Sequence, residues 1–299
     1  MPPIPTPVGL AGVFTGGFNA GSISLANTDL YFYATNAVIA GTNLKTGIGY
    51  LGGVGNYSMG VFAGNPHFSY IYTYATNAVA SGASLLVPRQ EAAGVGNTTV
   101  GIFGGMLQAS GPVNAAITDI YTYAFGTMSA GTNLAPLATA TYAQAAVGNS
   151  TMGVFNGGNH VNSNGSQTAL ALTNIYTYAT NAVAPGTTLG TACAEHAGIG
   201  TSSFGIFGGG GNNFPVATTT VYTYSNNGIA PGNNLGTARS SLAATGNPTL
   251  GVFGGGAPAA TPVTTTDVYT YSGNTVVTGT ALKTAAYGLA ATSGAPGSF

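Results

Sequence analysis

The chain of 299 residues is built on one unit that recurs six times. Each unit begins with a Gly-x-Phe motif, continues with an aromatic-x-Tyr pair and a Gly-x-x-Leu motif, and closes on a small-residue segment near Gly-Asn. The phenylalanines of the six Gly-x-Phe motifs are Phe14, Phe62, Phe103, Phe155, Phe207 and Phe253, at successive intervals of 48, 41, 52, 52 and 46 residues. Self-similarity of this period indicates a repeat architecture, in which each unit buries its apolar face against its neighbours.

Each unit predicts four short strands. The Ile-Tyr-Thr-Tyr segments combine β-branched and aromatic residues, which favour strands, and tyrosines two positions apart leave the same face of a sheet. Glycine and phenylalanine of Gly-x-Phe also share a face, and we expect the glycine to make room for an aromatic ring of the neighbouring unit. Thr-Asn, Asn-Gly and Gly-Gly pairs supply turns between the strands, and no segment has the apolar spacing of a helix. The chain is therefore predicted to be all β.

A repeat of about 50 residues, with four strands and a Gly-Gly after the second, resembles the kelch repeat. The resemblance is carried by Phe103-Gly104-Gly105, Phe207-Gly208-Gly209 and Phe253-Gly254-Gly255 and by the tyrosine pairs that follow them. It implies a six-bladed kelch-like β-propeller with four strands per blade. Kelch repeats usually carry a tryptophan on the outer strand, but this chain has none, and Leu44 and its equivalents take that role. The low charge and the Gly/Thr/Asn/Tyr-rich repeats of this chain also resemble those of bacteriophage tail and virion proteins.

The two ends of the chain predict how the ring closes. Residues 9–46 open on a second strand, whereas residues 285–295 form a first strand with no second strand after it. We expect these segments to pair in blade 1, so that residues 9–299 form a single propeller domain after a proline-rich arm at residues 1–8. Closure removes exposed sheet edges, which matters in a chain with few charges to protect them.

Charge excludes several classes of partner. Four Lys or Arg and five Asp or Glu make up 3% of the chain, against about 25% in an ordinary domain. The net charge of −1 offers no electrostatic footprint for nucleic acid or anionic membranes. No apolar run is long enough for a membrane helix, and the N-terminus lacks the basic and apolar regions of a signal peptide. We therefore expect a soluble protein with no nucleic-acid partner and no membrane insertion.

The sequence predicts no metal site, no cofactor and no catalytic residue. It has no zinc-type Cys or His spacing and no nucleotide-binding P-loop. Three aspartates, Asp29, Asp119 and Asp267, stand two residues before a tyrosine pair, where other units have Asn or Thr, so we interpret them as turn or strand-entry residues. The single cysteine, Cys193, occupies the position of Arg239 in the next unit and is predicted to be a small strand residue.

Glu91 and Glu195 occupy equivalent positions in their units. They could form the carboxylate pair of a glycosidase, which requires a separation of about 5 to 10 Å, but nothing in the sequence places them at that distance. We favour a structural role, in hydrogen bonds between repeats with Arg89 or backbone amides. His196 beside Glu195 suggests a dyad, but neighbours along a strand point to opposite faces.

Variation concentrates in the loops between the second and third strands. Function on a repeat scaffold usually resides in such loops, and all six should emerge on one face of the propeller. The candidate binding residues in or beside them are His67, Phe68, Tyr70, Met106, Gln108, Asn159, His160, Asn162 and Phe214. Aromatic side chains beside Asn and Gln suit neutral carbohydrate or a protein surface. The alternative for each residue is that it belongs to a solvated loop.

Two classes of function remain open. The first is a non-catalytic structural or interaction module. The resemblance to phage proteins implies a virion component (tail, fibre or decoration) that contacts other virion or surface proteins and takes part in assembly or host attachment. The second is a carbohydrate-binding or carbohydrate-cleaving head directed at host glycan. An enzyme would need acids clustered on one face, whereas a binding protein can use the neutral loops.

Overall fold

The computed structural model describes residues 11–64, 68–108, 114–134 and 141–295. Across these ranges the regular secondary structure consists of strands, with no helix. The strands form six antiparallel sheets of four main strands each, and the sheets stand in a ring. The prediction of an all-β, six-bladed propeller is confirmed. The proline-rich arm at residues 1–8 and the candidate His67 lie outside the described residues.

Each blade has an inner, two central and an outer strand. Blade 1 contains β1 (Ala11–Thr15), β2 (Thr28–Phe32) and β3 (Ala37–Ala40), with the last strand of the chain, β29 (Ala290–Ser293), as its inner strand. Blade 2 contains β4 (Gly52–Gly55), β5 (Met59–Gly64), β6 (Phe68–Thr73) and β7 (Ala78–Ser81). Blade 3 contains β9 (Ala93–Gly96), β10 (Val100–Gln108), β11 (Asn114–Thr122) and β12 (Thr127–Ala130), with the short β8 (Arg89–Gln90) beside β10.

The other three blades follow the same order. Blade 4 contains β13 (Ala145–Gly148), β14 (Met152–Asn156), β17 (Thr173–Thr177) and β18 (Ala182–Pro185). Blade 5 contains β19 (Ala197–Gly200), β20 (Phe204–Gly208), β23 (Thr219–Thr223) and β24 (Gly228–Pro231). Blade 6 contains β25 (Ala243–Gly246), β26 (Leu250–Gly254), β27 (Thr266–Thr270) and β28 (Thr275–Thr278). Two extra hairpins, β15 (Asn159–Val161) with β16 (Gln167–Ala169) and β21 (Gly211–Asn212) with β22 (Phe214–Pro215), extend blades 4 and 5.

The ring closes through the terminal strands, as predicted. Strand β1 pairs on one side with β2 and on the other with β29, so that Val13 lies opposite both Leu30 and Thr292. Strand β29 also packs against the inner strands of blades 2 and 6. One blade therefore joins the beginning and the end of the described chain.

Glycines let the blades approach one another. The six phenylalanines of the repeat are buried, and each packs towards a neighbouring blade. A Cβ at Gly104 of blade 3 would lie 2.7 Å from the ring of Phe155 in blade 4. The expectation that the glycine before each phenylalanine makes room for a neighbouring aromatic ring is therefore wrong. In blades 3, 5 and 6 the glycine after the phenylalanine has that role: Gly104, Gly208 and Gly254. The glycine before, such as Gly101, instead makes room for an aliphatic side chain of the preceding inner strand, here Val54.

The tyrosine pairs also link the blades. Their predicted common face is confirmed, since the rings of Tyr72 and Tyr74 lie 6.1 Å apart. The Tyr72 hydroxyl donates to the side-chain oxygen of Asn77, a residue with a φ of 52°, and the same oxygen accepts the N–H of Thr42 in blade 1 at 2.9 Å. Asparagine suits this position because it tolerates left-handed backbone. Equivalent asparagines are Asn36, Asn181, Asn227 and Asn274.

The six inner strands surround a central channel, lined by residues from every blade, with a cavity of about 160 Å³. One end of the propeller, called here the loop face, carries the loops between the central strands, described at residues 16–27, 157–172, 209–218 and 255–265. The connections into the inner strands emerge at the same end, and isolated bridges join them to these loops. The loops therefore border the channel mouth.

Candidate functional site

A closed ring of six residues surrounds the channel mouth on the loop face. This mouth ring consists of Tyr50, Glu91, Ala143, Glu195, Ser241 and Gly288, one from each connection into an inner strand. Each member donates its N–H to the carbonyl oxygen of the member before it, at 2.7 to 3.0 Å, and Tyr50 closes the circle on Gly288. All six residues have a left-handed φ between 53° and 62°. Such a conformation persists only where the surroundings impose it, and the hydrogen-bonded circle does so.

The mouth ring brings the two glutamates together. Glu91 and Glu195 line one cavity of about 80 Å³, together with Tyr50 and Ser241. Ser241 Oγ donates to Glu195 Oε2 at 2.7 Å. Burial, and secondarily the nearby Glu195, raises the pKa of Glu91 to about 8, so Glu91 keeps its proton at neutral pH. The two glutamate carboxyl groups therefore have different surroundings: that of Glu195 accepts a serine hydroxyl, and that of Glu91 has its pKa raised by burial.

The expected contact between Arg89 and the glutamates is wrong. Arg89 is fully buried and pairs with Asp119 at 2.8 Å, and Arg239 pairs with Asp267 at 2.7 Å. The interpretation of these two aspartates as turn or strand-entry residues therefore missed their main role. The sequence contains a signal for it, because each buried arginine stands in the repeat directly before that of its aspartate. Glu195 does form a side-chain hydrogen bond between repeats, but its partner is the Ser241 hydroxyl and not Arg89 or a backbone amide.

Two buried polar side chains lie directly under the mouth ring. Gln144 and His196 follow Ala143 and Glu195, at a position that is leucine in three other units: Leu51, Leu242 and Leu289. They are 7% and 6% exposed, and their side-chain nitrogen and oxygen atoms have no hydrogen-bond partner among the described residues. Burial lowers the pKa of His196 to about 4, so its imidazole is neutral. Both side chains line the mouth cavity and can offer donors and acceptors to a ligand there.

Aromatic residues form the rim of the mouth. The ring centroid of Phe18 lies 4.8 Å from that of Tyr50 and 5.5 Å from that of Tyr287. Burial, followed by the charges of Glu91 and Glu195, raises the pKa of Tyr142 to about 12. Tyr142 therefore remains a protonated hydrogen-bond donor at neutral pH. Aromatic faces next to hydroxyl and carboxyl groups suit a hydroxyl-rich ligand.

The candidate loop residues divide into two groups. Phe214 in β22 is 79% exposed and Phe68 at the start of β6 is 46% exposed, so both reach solvent on the loop face. Asn159 and His160 lie in β15 and are partly buried. Asn162 follows them and donates to Ser166 Oγ at 3.0 Å and Thr168 Oγ1 at 2.9 Å, so it shapes its own hairpin.

Tyr70 does not belong to the exposed loop. It lies within β6 opposite Phe62 and is 5% exposed in the core. The sequence placed it beside the loop because the boundary between loop and strand was uncertain by a few residues. Met106 and Gln108 lie in β10. Cys193 is half-buried, and burial raises the pKa of its thiol to about 11, which keeps the thiolate nucleophile scarce at neutral pH.

Glu91 makes stability depend on pH. The folded chain holds the Glu91 proton up to about pH 8, whereas the unfolded chain releases it near the ordinary value of 4.5. The free energy of unfolding should therefore fall as the pH rises from 4.5 to 8, by at most about 1.4 kcal/mol per pH unit. His196 acts in the opposite sense: its contribution is present above pH 6.5 and is lost as the pH falls towards 4.

The measurement is urea unfolding at a series of pH values between 4.5 and 9 for wild type and Glu91→Gln. The variant should lose the alkaline decline and keep the acid decline caused by His196. Identical pH profiles for the two proteins would show that Glu91 is not protonated in the native mouth.

Across the described residues, no three His, Cys, Asp or Glu side chains are arranged to hold a metal ion. The same part of the chain contains no helix long and apolar enough to cross a membrane. Comparison with known proteins finds neither a family whose profile matches this chain nor a curated protein similar to it. The structure therefore shows an architecture alone: six four-stranded blades in a ring, a β-propeller.

Proposed function

We propose that this protein is a non-catalytic interaction module that uses its loop face to bind a partner. The observation that carries the proposal is the pair of hairpins added to blades 4 and 5, β15–β16 and β21–β22. They border a groove of about 220 Å³ that extends to Glu195 of the mouth ring. Phe214 stands exposed at its edge, and exposed aromatic side chains beside a groove are frequent binding anchors.

Charge contributes little to this surface. Four of the nine charged residues neutralise one another in the two buried arginine–aspartate pairs. Recognition by the loop face therefore depends on shape, hydrogen bonds and aromatic contact. We expect the affinity for the partner to change little between low and high salt, in contrast to complexes guided by charge.

The proposed setting is a bacteriophage virion, in a tail, fibre or decoration protein. This is supported by the kelch-like repeats in a low-charge, Gly/Thr/Asn/Tyr-rich chain, which resemble those of phage virion proteins. Partners would then be other virion proteins or a host surface, and the role would be assembly or attachment. Closure of the ring suits a particle protein, because it leaves only the short outer strands of the blades as sheet edges.

Replacing Asn159 to Ser166 with a short Gly-Ser turn tests the interaction face. We expect a folded protein that loses particle incorporation or host-surface binding. Phe214→Ala should weaken the same binding, whereas Phe125→Ala is the matched control: Phe125 is 80% exposed in the turn between β11 and β12, on the opposite face. Full retention of both activities in the loop variant would move the functional surface away from the loop face.

A second candidate function is a carbohydrate-binding or carbohydrate-cleaving head. The observation that favours it is the meeting of Glu91 and Glu195 at the aromatic mouth. Carboxyl groups in unlike environments can divide the roles of acid and base. Glu91 would be the protonated acid, and Glu195, which accepts the Ser241 hydroxyl, would be its partner. Hydrolysis of a host polysaccharide that is lost in both Glu91→Gln and Glu195→Gln would establish the enzyme. Binding without turnover, retained in both variants, would establish the binding head.

A further inference from the structure

Blade 5 lacks an ion pair that fills blades 3 and 6. In those two blades the pairs Arg89–Asp119 and Arg239–Asp267 are fully buried. The equivalent residues of blade 5 are Cys193 and Thr220, as the strand register shows: Thr220 lies opposite Phe207 as Asp267 lies opposite Phe253. A cavity of about 630 Å³ occurs at this place, with both Cys193 and Thr220 in its wall.

The cavity retains the backbone groups that hold the ion pair in the other blades. Arg89 Nη2 and Arg239 Nη2 donate to the carbonyl oxygens of Phe103 and Phe253, at 3.3 and 3.1 Å. The equivalent phenylalanine in blade 5 is Phe207, which lines the cavity. A hydrogen-bond acceptor that serves an arginine elsewhere is therefore present where no arginine exists.

A donor is retained in the same way. The carboxylates of Asp119 and Asp267 accept the backbone N–H groups of Leu86 and Gly236, both at 3.1 Å. The equivalent residue in blade 5 is Gly190, which also lines the cavity. The wall thus offers one backbone acceptor and one backbone donor, in place of a cation and an anion.

His196 adds an unpartnered polar group to this wall. It is 6% exposed, neither ring nitrogen has a partner among the described residues, and its ring lies 5.6 Å from that of Phe207. Much of the remaining wall is apolar, with Leu189, Val216 and Ile229. The volume is within the range of about 300 to 1,000 Å³ that is usual for small-molecule sites.

We propose that the blade-5 cavity binds a small neutral ligand with an apolar body and a primary carboxamide head. The amide NH₂ donates to the Phe207 carbonyl, as an arginine does in blades 3 and 6, and the amide oxygen accepts the Gly190 N–H, as an aspartate does there. Neutral ligands are selected because a buried charge without a counter-charge is strongly disfavoured, and Cys193 and Thr220 supply none. The cavity shares Gly211 and Asn212 of β21 with the groove of the proposed interaction face, but Phe207 and Gly190, which hold the carboxamide, do not line that groove.

Three isosteric probes test the head group: benzamide has a donor and an acceptor, benzamidinium only donors, and benzoate only acceptors. We expect benzamide to bind wild-type protein at least about tenfold more tightly than either ion, a difference that corresponds to about 1.4 kcal/mol. The readouts are ligand-observed NMR titration and slower alkylation of Cys193, the only thiol in the chain. Absence of benzamide binding, or equal binding of the three probes, would overturn the proposal.

Matched variants exchange the equivalent residues between blade 5 and blades 3 and 6. Cys193→Arg with Thr220→Asp copies the pair of blades 3 and 6 into blade 5 and should abolish benzamide binding. Arg239→Cys with Asp267→Thr copies the blade-5 residues into blade 6 and should create a second benzamide site. Unchanged binding in a folded Cys193→Arg/Thr220→Asp protein would place the ligand elsewhere and refute the assignment.

If the Cys193→Arg/Thr220→Asp protein does not fold, Thr220→Asp alone tests the proposal. The added carboxylate supplies the missing counter-charge, so the preference should reverse and benzamidinium should bind more tightly than benzamide. Partial unfolding cannot produce such a reversal. A preference for benzamide that is unchanged in Thr220→Asp would contradict the proposed site.

Discussion

Deletion of residues 285–299 should abolish cooperative folding of the propeller. The deletion removes β29, and with it the antiparallel pairing to β1 and the packing against the inner strands of blades 2 and 6. It also removes Gly288 and opens the hydrogen-bonded circle of the mouth ring. Native proteins are stable by only about 5–15 kcal/mol, and the loss of an inner strand and both of its interfaces exceeds what such a margin can absorb.

Far-ultraviolet circular dichroism melts and size-exclusion chromatography measure this effect. The truncated protein should aggregate, or melt far below wild type without a sharp transition. A synthetic peptide of residues 285–299 is the control, because its addition should restore the missing strand and part of the transition. A truncated protein with the wild-type melting curve would show that β29 does not hold the ring closed.

Replacement of Phe155 by alanine should lower the free energy of unfolding by about 3–5 kcal/mol. The ring is fully buried and fits against Gly104 of the preceding blade, where no side chain intervenes. Alanine leaves a cavity between two blades that the paired strands on either side cannot close. Phe103 and Phe207 occupy the same position in their blades, and their alanine variants should lose comparable stability.

Phe125→Ala is the matched control for these core variants. Phe125 is 80% exposed, so its replacement should change the free energy of unfolding by no more than about 0.5 kcal/mol. Urea denaturation, analysed with the same slope for every protein, compares the four variants with wild type. Wild-type stability in two of the three core variants would contradict the packing of the repeat phenylalanines between blades.

The channel mouth shows how far sequence reasoning extends in a repeat protein. Glu91 and Glu195 are recognisable as equivalent residues, and equivalent residues just before the inner strands of a propeller meet at its axis. Their proximity therefore follows from the repeat. The conformation of Glu195 does not follow from it, because the sequence around Glu195 resembles a strand, in which Glu195 and His196 would point to opposite faces. Glu195 instead has a left-handed φ of 57° outside any strand, and both residues line the mouth.

The buried ion pairs show the opposite case. When position 119 is considered alone, other repeats have Asn or Thr at the equivalent position, which indicates that Asp119 is a replaceable turn residue. Its pairing with Arg89 depends on a strand-to-connection contact within the blade that no local pattern reveals. Comparison of consecutive repeats, rather than of single positions, would have shown twice an arginine followed by an aspartate in the next repeat, and neither residue at the equivalent positions of blade 5.

The sequence by itself determined the number of blades, the all-β class and the closure by terminal strands. These follow from periodic residue types whose effects are local: alternating side chains in strands, turn residues between them, and the order of elements at each chain end. The tertiary structure alone decided which polar groups meet. The carboxyl pair at the mouth, the unpartnered Gln144 and His196 and the blade-5 cavity depend on distances across blades, because burial and charge act through space and not along the chain.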